Sequence, residues 1–260
     1  MKSSCPVPAR SGRFKQYQIF CALCGMAAAQ AAYAGDGDHF KLGVGAAVEP
    51  RYVGSDEYHV QPAPILDYRY GRFYAKSGKG VGFSIIDTPS LTVGAGVSWM
   101  SGYRSEDVPD GIGKLSDALG GRLSVSTHLA DVELALSVTQ AITKSERGLL
   151  ANVRLSYPYA ITDSLKLIPS VAVNWANAKY MDSYYGISAD QSARSGLAQY
   201  SPSAGIRDVS VRLAVSYDIN KRWSVVGAVG ASRLLGDAAD SPLVKRESQF
   251  QGVVGIAYTF

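Results

Sequence analysis

The amino-acid sequence predicts an all-β protein, a transmembrane antiparallel β-barrel of about twelve strands. Apolar and polar residues alternate with a period of two in many short segments after residue 39, which is typical of strands with one apolar face. The segment 249–260 alternates in this way up to Phe260 and is the expected closing strand. No apolar run after residue 34 approaches the ~20 residues that a membrane-spanning helix needs.

Residues 1–34 have the three parts of a secretory signal peptide. The basic part contains Lys2, Arg10, Arg13 and Lys15. The apolar segment 19–29 follows, and Ala32-Tyr33-Ala34 is an A-x-A cleavage site. Because segment 19–29 is too short to cross ~30 Å of hydrocarbon as a helix, we predict cleavage before Gly35. Residues 35–260 are then the exported barrel.

The charge and the cysteines of the predicted mature chain exclude several classes of function. The whole chain has 26 basic and 22 acidic residues. The predicted signal contains four of the basic residues and no acidic ones, which leaves 22 of each sign and gives no reason to expect a nucleic-acid partner. Cys5, Cys21 and Cys24 all lie in the signal, so the mature chain has no disulfide, thiol nucleophile or thiolate metal site.

Twelve segments have the periodicity of strands, and the connections between them predict the topology. The predicted strands are 40–48, 58–68, 72–77, 80–87, 91–99, 122–129, 132–142, 149–157, 165–175, 209–217, 223–233 and 249–260. Two prolines weaken the second strand, and the segment 72–87 is weak enough that a count of ten stays open. Short turns are predicted at 70–71, 87–90, 130–131, 159–163 and 218–221, as at a periplasmic end, and longer connections lie at the other end.

Aromatic residues at the predicted strand ends fit the girdles that such barrels place at the two membrane interfaces. At the periplasmic end these are Tyr157, Tyr217, Trp223, Tyr258 and Phe260. Trp99 and Trp175 lie at the outer end. This division agrees with the topology that the connection lengths predict.

Two further stretches carry a family resemblance. The first has the pattern P-x-Y-x-G-S-D-x-Y, formed by Pro50, Tyr52, Gly54, Ser55, Asp56 and Tyr58, with P-x-P at 62–64. The second spans 175–187, contains Trp175, Tyr180, Met181, Tyr184 and Gly186, and continues to residue 209. Together with Phe260, these stretches resemble the MltA-interacting protein family, also called the MipA/OmpV family, over essentially the whole mature chain.

The resemblance implies a place in the outer membrane of a Gram-negative envelope, in contact with outer-membrane lipids. For the namesake it implies a scaffold that joins a lytic transglycosylase to a bifunctional penicillin-binding protein during murein growth. Other members are described as porin-like or adhesive, so a small porin-like channel or a surface adhesin stays open as an alternative. The family brings no catalytic residue to this sequence, and we predict a protein that is not an enzyme and has no cofactor.

Charged residues on the predicted inner face are the candidates for a role in the lumen. They are Lys41, Asp67, Arg69, Arg122, Glu133, Arg154, Lys166, Asp208 and Arg212. The presence of both signs favours pairing across the lumen, whereas small inner residues such as Gly43, Gly94 and Gly255 would leave room for water.

Other candidate sites are weaker. The segment 50–58 is expected to be an outer loop that Gly54 and a turn-capping Asp56 hold in place. Ser126 and His128 share one face, but no motif places the acidic group that acyl transfer would need, so solvated lumen residues are the favoured interpretation. The histidines are too scattered for a metal site, and neither a nucleotide-binding loop nor a calcium-binding loop is present.

Overall fold

The computed structural model describes residues 37–260, and these form a closed antiparallel β-barrel. The predicted signal peptide, residues 1–34, lies outside the described residues. The strands are β1 (His39–Pro50), β2 (Tyr58–Tyr70), β3 (Phe73–Lys76), β4 (Gly80–Asp87), β5 (Leu91–Met100), β6 (Ala118–Leu129), β7 (Val132–Ala141), β8 (Leu149–Ser156), β9 (Tyr159–Ala160), β10 (Leu165–Ala176), β11 (Gly205–Asp218), β12 (Trp223–Leu234) and β13 (Ser248–Thr259). Two short helices, α1 (Ala178–Tyr185) and α2 (Ala189–Ser195), and two 3-10 turns, Ser145–Arg147 and Gly236–Ala238, lie between strands.

Consecutive strands pair along the chain, except that β8 pairs with β10 and not with β9, and the pairing of β1 with β13 closes the ring. β1 pairs with β13 from Lys41 opposite Thr259 to Val48 opposite Gly252. β10 pairs with β11 along its whole length. β8 and β9 both pair with β10 and form one interrupted strand. The wall is therefore a closed twelve-strand barrel with one extra short strand.

The structure confirms the predicted barrel and corrects two details. All twelve predicted segments are strands, so the alternative count of ten is wrong. The predicted turn at 159–163 is also wrong, because Tyr159 and Ala160 pair with β10 and the turn spans 161–164. Pro158 has no backbone N–H to donate, which explains the interruption between β8 and β9.

The barrel is apolar outside and mainly small or polar inside. Large exposed apolar side chains include Val44, Val60, Leu123, Val171, Val211, Val229 and Val254. At the end with short turns, which we call the inner end, Phe260 stacks on Phe40 with ring centroids 4.8 Å apart and packs edge-on against Tyr258 at 4.9 Å. At the opposite, outer end, Trp99 is 63% exposed. This distribution is that of a barrel surrounded by lipid.

The outer connections carry the structure that is not strand. They are residues 51–57, 101–117, 142–148, 177–204 and 235–247. Both helices lie in the connection 177–204. Among residues 37–260, no helix has the length and apolar character to cross a membrane.

We predict that Gly43→Val prevents barrel closure. A Cβ at Gly43 would lie 2.3 Å from the carbonyl oxygen of Ile256 and 2.7 Å from the Cα of Ala257, so the β1–β13 pairing would have to separate. Gly252→Val is the control in the same pair of strands, because its nearest atom is 3.8 Å away. Overpacking costs about 1–3 kcal/mol, and more against backbone. Electrophoretic migration before and after heating should show an unfolded Gly43 variant and a folded control, and equal folding of both would contradict the prediction.

Candidate functional site

Helix α1 packs inside the outer mouth of the barrel. Its residues Tyr180, Met181, Tyr184 and Tyr185 are all buried. They pack against inward residues at the outer ends of five strands, Met100, Ala118, Ala141, Ala176 and Leu234. Three of these five are alanines, which leave space for the tyrosine rings. We call this cluster the plug, because it fills the mouth with apolar side chains.

Two features of the second family stretch hold α1 in place. Asn177 precedes the helix, and its side-chain oxygen accepts hydrogen bonds from the backbone N–H groups of Tyr180 and Leu149, at 3.0 and 2.9 Å. This satisfies one free donor of the helix start and ties the helix to β8. Gly186 follows the helix, and a Cβ there would lie 2.4 Å from the carbonyl oxygen of Asp182. The close approach requires glycine at this position.

Arg147 anchors the plug from the side and is only 1% exposed. Its guanidinium donates to the carbonyl oxygen of Ser101 at 2.9 Å, to the carbonyl oxygen of Ser116 and to the hydroxyl of Tyr184. It also lies 4.5 Å from the centre of the Tyr184 ring. The Tyr184 hydroxyl in turn donates to Ser101 at 2.8 Å. A buried charge is tolerated here because it meets carbonyl oxygens and an aromatic face.

A second arginine ties the plug to the wall. Arg207 at the start of β11 donates to the carboxylate of Asp208 and, at 2.6 Å, to the hydroxyl of Tyr180. Asn174 donates to the same carboxylate at 2.8 Å. Asp208, one of the predicted lumen charges, is therefore buried in a local network at the base of the plug.

Burial also affects the plug tyrosines. It is the main cause that raises the pKa of Tyr184 and Tyr185 above the ordinary value of ~10 for a phenol. Both rings are therefore neutral at physiological pH. The hydroxyl of Tyr185 is buried and has no hydrogen-bond partner among the described residues, unlike that of Tyr184.

The first family stretch packs among the outer connections through Tyr52. Tyr52 donates to the carbonyl oxygen of Leu243 at 2.9 Å, and both residues belong to a second apolar cluster with Val108, Ile112 and Ile187. Burial raises the pKa of Tyr52 to about 12. We call this cluster of outer connections, together with the plug, the outer cap.

The remaining motif residues of the first stretch bind the β12–β13 connection. Gly54 has a φ of +104° and its carbonyl oxygen accepts from the backbone N–H groups of Lys245 and Arg246. Pro50 and Tyr58 are opposite each other at the ends of β1 and β2. The predicted turn cap is wrong. The hydroxyl of Ser55 caps the turn by accepting a hydrogen bond from the N–H of Glu57 at 3.1 Å. The Asp56 side chain instead forms an ion pair with Lys245, with 3.7 Å between Oδ1 and Nζ.

Below the plug, the predicted lumen charges divide into two groups. Near the inner end they pair, since Asp67 contacts Lys76 and His39, and Arg69 contacts Asp87. Arg154 and Arg212 lie further toward the outer end and have no ion-pair partner among residues 37–260. Lys166, which lies nearer the inner end, also has no ion-pair partner in this range. The pairs near the inner end join nearby strands between β1 and β4, so they do not form the expected network across the lumen.

The small inner residues do not leave uniform space for water. A Cβ on Gly255 would lie 2.5 Å from the side chain of Ile65, and one on Gly82 would lie 2.4 Å from the hydroxyl of Tyr74. These larger inward side chains occupy the volume next to the glycines. The expectation of room for water at Gly255 is therefore wrong, because the side chain of Ile65 from a nearby strand fills the space beside this glycine.

The described residues contain no arrangement for the weaker candidate chemistries. Ser126 and His128 share no side-chain hydrogen bond with each other in residues 37–260. No group of three or more metal-binding side chains occurs within that range either.

Comparison with known proteins places this architecture in a family. The family model described as "MltA-interacting protein MipA" matches residues 42–260. The chain belongs to the MltA-interacting protein MipA family.

The chain is also similar to individual proteins. The chain is 25% identical over 228 residues to the MltA-interacting protein of Escherichia coli (strain K12), covering 85% of this chain and 90% of that protein. It is 24% identical over 244 residues to a 24 kDa outer membrane protein of Pasteurella multocida (strain Pm70), covering 86% and 91%. The solved KdgM porin is similar with a TM-score of 0.47 and 10% identity, over 85% of this chain and 99% of that one. The MipA-family barrel described here is an outer-membrane protein, so its outer end faces the exterior and its inner end the periplasm.

We predict that Tyr184→Phe weakens the plug and that Tyr185→Phe does not. The first substitution removes a partner of buried Arg147, which should cost about 1–3 kcal/mol. The second removes a buried hydroxyl without a partner, so stability should stay equal or rise. Urea unfolding in detergent micelles measures both variants, and an equal loss in the two would contradict the assigned hydrogen bonds.

Proposed function

We propose that this protein is a non-catalytic outer-membrane barrel that is closed to the exterior and binds murein enzymes at its periplasmic end. The single observation that carries the proposal is the plug, which fills the outer mouth with buried apolar side chains. A barrel sealed in this way is suited to binding rather than to continuous passage of solutes.

The name of the Escherichia coli relative supports the choice of partner, because that protein is called MltA-interacting. We infer that a lytic transglycosylase binds this chain too, and that a bifunctional penicillin-binding protein is a further partner of the same assembly. In residues 37–260, five short turns connect the strands at the periplasmic end. The partner surface would therefore consist of these turns and the inner rim.

One part of the inner rim is well suited to protein binding. The turn 219–222 carries Lys221 and Arg222 beside exposed Trp223. Tryptophan and arginine are enriched at protein interfaces. We propose this turn as the centre of the partner surface.

Measurements of conductance test the alternative function, which is that of a porin-like channel. We expect the folded protein to be silent in planar bilayers. Tyr180→Ala combined with Tyr184→Ala removes two rings from the plug and should produce conductance. Tyr157→Ala combined with Tyr159→Ala removes two stacked, exposed rings elsewhere and should leave the barrel silent. Steady conductance of the unaltered protein that changes in Arg212→Ala would contradict the closed state and favour a channel.

We predict that Lys221→Ala combined with Arg222→Ala weakens binding of a lytic transglycosylase by about tenfold, because two rim charges at an interface contribute roughly 1.4 kcal/mol together. Lys114→Ala combined with Lys179→Ala removes the same charge from exposed positions at the outer end and is the control. Surface plasmon resonance with the barrel in nanodiscs measures both. Absence of binding by the unaltered protein would refute the proposed partner.

A further inference from the structure

The barrel wall has a gap on the outer half of the membrane. β2 is thirteen residues long, but it pairs with β3 only from Asp67 to Tyr70. Above this pairing, Ser77 contacts Leu66 and Pro64, and the ladder ends. The segment 58–64 therefore has no strand beside it on this side over roughly 20 Å of strand, at ~3.3 Å per residue.

The borders of this gap are well defined. The β3–β4 turn, residues 77–79, is its floor, and the end of β5 at Trp99 and Met100 is its other side. The outer connections cross above it, where Arg51 binds Asp107 at 2.9 Å. We call this opening the window.

The sequence of β2 fits an edge that stays open. Both the N–H and the C=O of Leu66 face Ser77 on the β3 side. Alternate residues of a strand direct their backbone groups to the same side, so Pro64, Pro62 and Val60 face the window. The two prolines have no N–H to leave unpaired. The remaining backbone groups need water or a polar ligand, since irregular backbone at membrane depth occurs only where it is covered by protein or lines a wet cavity.

Cationic side chains lie inside the lumen behind the window. Lys79 belongs to the turn that forms the floor of the window. Its charge lies close enough to those of Arg122 and Arg154 for them to repel one another. Arg154 is also within range of Arg212. The register supports this, because Arg154 and Arg212 face Ala172 and Ser170 of the same strand, β10. Arg122 reaches toward them by donating to Ser137 at 2.8 Å.

This group of Lys79, Arg122, Arg154 and Arg212 is short of negative charge. Glu133 is the one carboxylate within Coulombic range of Lys79, and none of the four cations has an ion pair among residues 37–260. A second polar group nearby also lacks a partner. The Nδ1 atom of His59, which points inward from β2 beside the window, is buried without a hydrogen bond in the described residues.

We propose that these four cations bind the phosphate headgroup of an outer-leaflet lipid whose acyl chains leave the barrel through the window. A phosphate matches the group because it has several acceptor oxygens and negative charge for guanidinium donors. A lipid is favoured over a free anion because the window opens toward hydrocarbon, which acyl chains can enter. This binding is independent of the proposed murein partner.

Native mass spectrometry of the purified protein with phosphatidic acid tests the proposal. We expect one bound lipid, with affinity reduced at least tenfold in Arg154→Gln combined with Arg212→Gln. Lys41→Gln combined with Lys166→Gln removes two lumen cations near the inner end and should bind as the unaltered protein does. Neither pair of side chains makes a hydrogen bond in the described residues, so all variants should fold, which heat-dependent migration checks. No bound lipid, or an equal loss in both doubles, would overturn the proposal.

Two further arms separate the sources of the anion. Diacylglycerol, which lacks the phosphate, should bind at least tenfold more weakly, and inorganic phosphate alone should not compete at concentrations equal to that of the lipid. Equal affinity for inorganic phosphate would overturn the lipid as the ligand. Phosphatidic acid with a photoreactive acyl chain should label the segment 58–65 in the unaltered protein and lose that label in the arginine double variant. Identical labelling of both would overturn entry through the window.

Discussion

The structure depends on the closure of its backbone hydrogen-bond ladder. In hydrocarbon each unpaired N–H or C=O costs several kcal/mol, so a sheet in a membrane is stable only when it has no edges. The β1–β13 pairing joins the first strand to the last and removes both edges of the sheet. Close approach of glycines in β1 to the backbone of β13 makes this pairing possible. The window beside β2 is the place where closure is incomplete, and prolines occupy its border.

The outer cap follows from this closed wall. The long outer connections fill the mouth of the barrel with α1, the buried Arg147 and the partly buried Arg207. Arg147 and Arg207 are held by carbonyl oxygens, tyrosine hydroxyls and Asp208, so charges that burial would otherwise disfavour fix the position of the helix. The two family stretches contribute to one body in this cap, the first through Tyr52 and Gly54, the second through α1 and Gly186.

Strand positions were predictable because each strand carries its own alternation, and β2 formed despite Pro62 and Pro64. The helices were missed although signals existed, since Tyr180, Met181, Tyr184 and Tyr185 recur at helical spacing and Ser188 and Gln191 form a capping box. The burial of Arg147 was not predictable, because it depends on connections that are distant in sequence. The window was not predictable either, because it depends on how short β3 is and on which residues of β2 pair with it.

Cysteine accessibility on intact cells tests most directly whether α1 seals the outer mouth. Residues 37–260 contain no cysteine, and cleavage of the predicted signal peptide would remove Cys5, Cys21 and Cys24, so that only the introduced cysteine would react. Lys179 is exposed and Met181 is 1% exposed on the same helix. A membrane-impermeant maleimide should label Lys179→Cys rapidly and leave Met181→Cys unlabelled until the protein is denatured. Equal labelling of both cysteines on intact cells would contradict the closed outer cap.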